Sequence, residues 1–184
     1  METIGEALEA ARRGDPNGLA SLYEELRTPV FRYLVAATGD RSAAEDLLAD
    51  VFVEVARGVR RFVGGPGAFV GWVFAIARHD VADLRRGHRR RAVEPVPDPP
   101  EPELAPDHAD DVAHRVDLEH REAPRLHAAL ARLNEEQREV VLMRFVAERS
   151  LEEVAAALGT TVGAVKARQH RALARLRRLL EADR

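Results

Sequence analysis

Six prolines and eight carboxylates crowd into residues 92–117, and neither a helix nor a packed core can run through such a strip. Pro95, Pro97, Pro99, Pro100, Pro102 and Pro106 remove backbone donors, while low hydrophobicity and high charge cannot repay the entropy of packing. The strip therefore reads as an extended linker. The chain is expected to be all-α, with two small helical domains at residues 1–91 and 118–184 joined by an acidic, proline-rich connection at 92–117. In polyproline geometry that connection would span up to about 80 Å, at ~3.1 Å per residue.

The part beyond the linker has the punctuation of a helix-turn-helix. In "SLEEVAAALGTTVGAVKARQHRALARLRRLLE", Ser150 and Glu153 form a capping box, and Leu151, Val154, Ala155 and Leu158 supply an inward face. Gly159 ends that helix, Thr160 and Thr161 turn, and a second helix starts at Val162. At about 100° per residue, Val162, Val165, Leu173, Leu176 and Leu180 gather on one side of it. Gly163, Ala167, His170, Arg171 and Arg178 gather on the other. Lys166, Arg168, Arg171, Arg175, Arg177 and Arg178 carry charge attractive to phosphate, with no acid before Glu181. A solvated basic face is the bland alternative, but Gly163 and Ala167 leave room for a DNA groove. Upstream, a helix from about Asp117 to Leu133 precedes one capped by Asn134 with Gln137 opposite. Leu126, Leu130, Leu133, Val140, Val141, Met143 and Phe145 are its expected core.

A net charge of −3 conceals strong segregation. Arg78, Arg85, Arg86, Arg89, Arg90 and Arg91 form a basic block before the acidic linker, and the last helix is basic again. The absence of cysteine excludes a disulfide framework and a thiolate metal site. No signal pattern and no stretch of roughly 20 apolar residues is present, so a cytoplasmic protein without a membrane partner is expected.

Residues 3–91 read as several helices, with turns at Gly14 to Gly18, Gly39 to Ser42 and Gly64 to Gly67. In "DRSAAEDLLADVFVEVARGVRRF", Ser42 with Glu45 reads as a capping box, and Leu47, Leu48, Val51, Phe52, Val55 and Val59 as a buried face. Opposite, Asp46, Asp50 and Glu54 recur every four residues beside Val53, which suits either a solvated helix or docking on a basic partner. The next helix, from about Gly67 to Arg91, buries Val70, Val73, Phe74, Ala77, Val81 and Leu84. Trp72, His79, Asp83 and Arg86 line another side, with Phe62 and Phe69 at the glycine-rich turn. Each aromatic alone reads as core; beside Arg85 to Arg91 the set suits unstacked bases.

With both basic stretches in place, the chain resembles a bacterial RNA polymerase sigma factor of the sigma-70 family, in the extracytoplasmic-function (ECF) group. "AAEDLLADVF" resembles the family's polymerase-binding helix of region 2, and "FVGWVFAIARHDVADLRR" the helix that melts and reads the minus-10 element. "TTVGAVKARQHRALARLRR" resembles the region 4 helix that reads the minus-35 element. The resemblance implies promoter-specific transcription initiation by a protein that is not an enzyme and needs no cofactor. It implies that Asp46, Leu47, Asp50, Val51 and Glu54 face the clamp helices of the polymerase's largest subunit, with the flap region a further contact. Phe62, Phe69, Arg78, His79, Asp83, Arg85 and Arg86 would meet the melted minus-10 strand, and Lys166, Ala167, Arg168, His170 and Arg171 the minus-35 major groove. An anti-sigma factor is implied as a regulating partner beside core polymerase and promoter DNA.

Three positions depart from the family's pattern: Ala49-Asp50 stand where Gln-Glu is usual, His79 where Asn is usual, and Gln169 where an apolar residue is commoner. Two other readings compete. A helix-turn-helix regulator would share the C-terminal motif but bind duplex DNA on its own, usually as a dimer. A metal phosphohydrolase of His-Asp type would use His79-Asp80 and Asp83, but the remaining histidines lie in an arginine run or near the linker, and the arginines would repel a metal.

Overall fold

Nearly every helix of the computed structural model starts at a cap that the sequence provides. The structure describes residues 3–91, 125–126 and 128–182, in which all regular structure is helical. The linker expected at 92–117 and the first part of the helix expected from Asp117 lie outside the described residues. Helix α1 (Ile4–Arg12) begins at Thr3 in a capping box with Glu6, and α2 (Pro16–Thr38) at Asp15, with Pro16 pre-set in the first turn. Gly39, left-handed at φ 74°, ends α2. Helix α3 (Arg41–Gly58) is capped by Asp40, whose carboxylate accepts from the Ala43 amide at 3.1 Å. The start expected at Ser42 is therefore corrected: Asp40 has the extended backbone of a cap, and Ser42 already lies inside the helix.

A short turn at Val59–Arg61 leads through the glycine-rich loop into α4 (Pro66–Arg91). After the linker come a helical stretch at 128–131, α5 (Glu135–Val141), a π-helical turn at Leu142–Val146, α6 (Leu151–Ala157) and α7 (Val162–Ala182). The capping box of Ser150 with Glu153 is present, with hydrogen bonds of 2.8 and 3.1 Å. Asn134 caps α5 through the Gln137 amide at 2.9 Å, but Gln137 Oε1 is buried without a partner among the described residues and does not close a reciprocal box. Gly159, at φ 58°, makes the turn before α7.

Burial follows the apolar stripes. Leu22, Leu26, Val30, Tyr33 and Leu34 of α2 meet Val51 and Val55 of α3 and Phe69, Val73, Phe74 and Ala77 of α4. That core does not stop at the linker. Val140, Leu142, Met143, Ala147, Val154 and Val165 join the same cluster, because α6 lies along α4 and the π-helical turn lies on α2. At Gly71 the approach is backbone to backbone: a Cβ there would fall 2.5 Å from Ala156 Cβ and 2.9 Å from the Glu153 carbonyl. Ala129, Leu133, Val141, Ala172 and Leu176 form a smaller cluster closing α5 on α7.

Three expected core residues lie outside. Phe145 is 50 % exposed, because the π-helical turn inserts a residue into the period and sends Leu142, Met143 and Ala147 inward instead. The Ala147 amide reaches back to the Leu142 carbonyl, five residues away, at 3.0 Å. Leu173 is exposed because Ala172 and Leu176 hold the inward stripe of α7. Leu126 is exposed too, and nothing among the described residues explains it.

Candidate nucleic-acid interface

Helix α7 carries the simpler surface. Its stripe of Val165, Ala172 and Leu176 is buried, so Lys166, Ala167, His170 and Arg171 are forced outward on the opposite side. Gly163 is exposed with them. Thr161 caps the helix by accepting from the Ala164 amide at 3.2 Å, which fixes where that face begins. Arg168 is different: it is half-buried, and its Nη2 donates to Glu136 Oε1 at 3.1 Å, tying the reading helix to the first turn of α5. Gln169 gains a partner in Arg144, whose Nε donates to Gln169 Oε1 at 3.4 Å while its Nη1 donates to the Arg149 carbonyl. Gln169 thus braces α7 against the turn that precedes α6.

Helix α4 splits its candidates between two faces. His79, Asp83 and Arg86, spaced by four and three residues, share an exposed side, with His79 Nε2 3.4 Å from Asp83 Oδ2 and Arg86 paired to the same carboxylate. Arg78 and Arg85, seven residues apart, turn the other way and are half-buried. Arg85 Nη2 donates to the Ala37 carbonyl at 2.8 Å, and Arg78 Nε is buried without a hydrogen-bond partner among the described residues. Phe69 is 0 % exposed: its ring is a core element, packed edge-on to Phe62 at 5.4 Å. Phe62 is half-buried and stacks on Trp72 at 5.2 Å, with the Arg12 guanidinium 5.6 Å from its ring centre. Of the two expected aromatics, only Phe62 keeps a surface.

On α3 the acids and the apolar residues likewise separate. Asp46, Asp50 and Glu54 are exposed, and Val53 beside them is 45 % exposed. Leu47 and Val51 are 9 % and 0 % exposed, so the surface that α3 offers is the acidic ridge with Val53, and those two side chains serve the core behind it. The ridge extends onto α4 through Asp80, which in the sequence stands out only beside His79 as part of the rival metal site. Burial, then the nearby Glu54 and Asp50 carboxylates, push the Asp80 carboxyl up to about 6, with His79 opposing and Asp83 adding to the rise. One Asp80 oxygen is shielded from solvent and accepts no hydrogen bond among the described residues. No local sequence signal pairs Asp80 with α3, or Glu136 with Arg168 thirty-two residues later. Among the described residues no three histidine, aspartate or glutamate side chains are arranged to hold a metal ion.

Two surfaces built this way, an exposed cationic helix after a turn and a basic helix beside an acidic ridge, have the charge and shape of a DNA-binding protein. Residues 22–91 match the Sigma-70 region 2 family, and residues 129–178 the Sigma-70 region 4 family. The ECF RNA polymerase sigma factor SigD of Mycobacterium tuberculosis is 35 % identical over 185 residues, covering 96 % of this chain and 85 % of the relative. ShbA of Streptomyces griseus, also an ECF RNA polymerase sigma factor, is 34 % identical over 97 % of this chain and 95 % of its own length. The fold is shared with the solved structure of CnrH in complex with the cytosolic domain of CnrY, at a TM-score of 0.71 and 24 % identity over 97 % of both chains. The chain belongs to the ECF sigma factors of the sigma-70 family. It binds core RNA polymerase and directs promoter-specific transcription initiation. That membership sets aside the lone regulator and the phosphohydrolase. No helix among the described residues is long and apolar enough to cross a membrane.

Proposed function

We propose that three surfaces divide this work. Residues 1–91 form the domain that docks on core polymerase and engages the minus-10 element; residues 118–184 form the domain that reads the minus-35 element; residues 92–117 join them. Docking falls to Asp46, Asp50 and Glu54 around Val53, an anionic rim with an apolar centre suited to the polymerase's clamp helices. Reading of the minus-35 groove falls to Lys166, Ala167, His170 and Arg171, with Arg168 released from Glu136 or holding the helix in place. The melted strand falls to Phe62, His79, Asp83 and Arg86, joined by Arg78 and Arg85. The chain acts by binding, without catalytic residues of its own, in the cytoplasm where core polymerase and template are. An anti-sigma factor is its regulating partner; CnrH and the RpoE of Bartonella quintana, which share the fold, were solved bound to CnrY and to the anti-sigma factor NepR.

The observation that carries this reading is the continuous outward face of α7, cationic and small, opposite a fully buried stripe. Run-off transcription with core enzyme across fragments of the source genome tests it: added protein must create new start points. Asp50→Arg reverses charge at an exposed site, so the fold should survive while retention of core polymerase falls by roughly tenfold or more in a pull-down. Normal retention would remove the docking face.

A further inference from the structure

Helix α1 precedes the residues that match region 2, 22–91, and yet it holds the glycine-rich loop that leads into α4. Arg12, in the last turn of α1, is the link. Its Nη1 donates to Glu9 Oε1 at 2.5 Å, which orients the guanidinium, and its Nη2 donates to the Gly64 carbonyl at 2.6 Å. The same guanidinium lies 5.6 Å from the ring centre of Phe62, which stacks on Trp72. Arg12 Nε is buried with no hydrogen-bond partner among the described residues, an unmet donor that the bonds of the two Nη atoms have to offset. Two further approaches tie α1 to the same region. A Cβ at Gly5 would fall 3.4 Å from Pro66 Cγ, and one at Gly14 would fall 2.5 Å from Arg60 Nη2. Between these points Val63 stands 91 % exposed, and a Cβ at Gly65 or Gly67 would meet nothing within 4 Å.

A loop of this composition has little shape of its own. Gly64, Gly65 and Gly67 can adopt many backbone conformations, and Gly64 sits at φ 150°, which L side chains rarely adopt. Ordering such a backbone when a strand arrives costs entropy, and a brace already in place removes that cost. We propose that Arg12 is a positioning residue for minus-10 recognition: by holding the Gly64 carbonyl it fixes the loop, and with it the Phe62 ring, in the shape that receives one unstacked base. The inference rests on the reading that Phe62 and α4 meet the melted strand, and it adds α1 to the elements that set affinity for that strand. A guanidinium suits the task because its bond to a carbonyl is charge-assisted and its fork holds Glu9 and Gly64 at once.

A promoter found by run-off transcription with core enzyme supplies the probe. Its melted minus-10 strand is made as a fluorescent oligonucleotide, intact or with each base in turn replaced by an abasic site, and titrated with holoenzyme. For the parent protein one abasic position should weaken binding by about tenfold, the worth of a stacked base. Arg12→Gln, a good helix former too short to reach Gly64, should lose about tenfold on the intact strand and nothing more at that position, while the other abasic sites keep their parental cost. An equal loss on every strand, the abasic one included, would make Arg12 a structural residue and overturn the proposal, and so would no loss at all. Gly64→Ala attacks the same bond from the loop and leaves α1 untouched: its φ disfavours alanine, and the Cβ would fall 3.0 Å from the Phe62 ring. It should cost about as much as Arg12→Gln, and the double variant no more than either alone; additive losses would uncouple the two residues and sink the brace. Core polymerase retention should match the parent in all three variants, and a fall in it would mean that the domain as a whole is damaged and that Arg12 has no role peculiar to the strand. A parent holoenzyme indifferent to every abasic site would remove the strand reading of Phe62 and α4, and the proposal with it.

Discussion

Helices α4 and α7 are both basic and amphipathic, yet they keep their cations in opposite conditions. On α7, Lys166, His170 and Arg171 stand in solvent, and among the described residues the groove set is restrained by the contact of Arg168 with Glu136. On α4, Arg86 is exposed, but Arg85 is bonded to the Ala37 carbonyl, Arg78 is half-buried and Phe69 is in the core. The difference matches what each helix is proposed to bind. A duplex presents its groove ready-made, so a rigid outward face suffices. A melted strand exists only after base pairs are broken, and a surface that holds it gains from being unavailable until then.

The strongest way to break the contrast is to prise α6 off α4. Gly71→Leu would drive side-chain atoms into Ala156 and the α6 backbone, where even a Cβ meets neighbours at 2.5 to 3.0 Å. Both are parts of helices that cannot shift alone, so the seam between the two halves should weaken by about 3 kcal/mol, roughly a hundredfold in the open population. Hydrogen exchange at the amides of α6 should rise by that factor, while those of α1 and α2 keep their protection. Unchanged exchange in α6 would mean that the seam absorbs the side chain and that the two halves are not held by it.

A smaller effect probes α7. For Arg171→Ala the expected loss is roughly 1 to 3 kcal/mol at the minus-35 element, because the side chain is exposed and its removal touches no packing. Core polymerase binding should not change. Promoter profiles measured with variant and parent holoenzyme decide it: identical profiles would take Arg171 out of the groove. If α4 and α7 do differ as described, this substitution should also leave oligo-dT binding by the free protein unaltered.

How much of this was legible in the residues depends on whether a signal is local. The capping box of Ser150 with Glu153, the Gly159 turn and the Asn134 cap are contained within a few positions, and all are found. The start of α3 was misplaced because Asp40 and Ser42 both have cap chemistry and only backbone conformation separates them. Phe145 was misplaced because a π-helical turn breaks the period on which burial was counted. The apolar stripe already puts Leu47 and Val51 on the buried face, where they are; only the resemblance makes them docking residues, and a motif marks positions without saying which way each side chain points, as Phe69 in the core also shows. The seam was out of reach altogether. Gly71, Tyr33 and Glu139 carry no local signal of a contact, and only the meeting of Tyr33 with Glu139, 106 residues on, and of Gly71 with the backbone of α6 gives them a joint meaning.

The finest distinction concerns the acidic edge that α4 shares with α3, and it can be read by pH. The Asp80 carboxyl is pushed up to about 6, above the ordinary aspartate value of 3.8, so the folded chain holds its proton more tightly than the unfolded chain does. Its contribution to stability is therefore most favourable below the unfolded value, and it is lost as pH rises through about 6. Above that the ionised carboxylate faces the Glu54, Asp50 and Asp83 carboxylates. Since Asp80 is half-buried, with one oxygen shielded, screening through the solvent on its open side reduces the penalty at pH 7.5 to about 1 kcal/mol. Asp80→Asn should remove it, raising stability in urea by about that amount at pH 7.5 and by little at pH 4. An equal gain at both values would mean that shape, and not charge, sets the effect. Equal stability of variant and parent at pH 7.5 would mean that the acidic edge is relaxed in solution and that α4 bears no electrostatic strain where it meets α3.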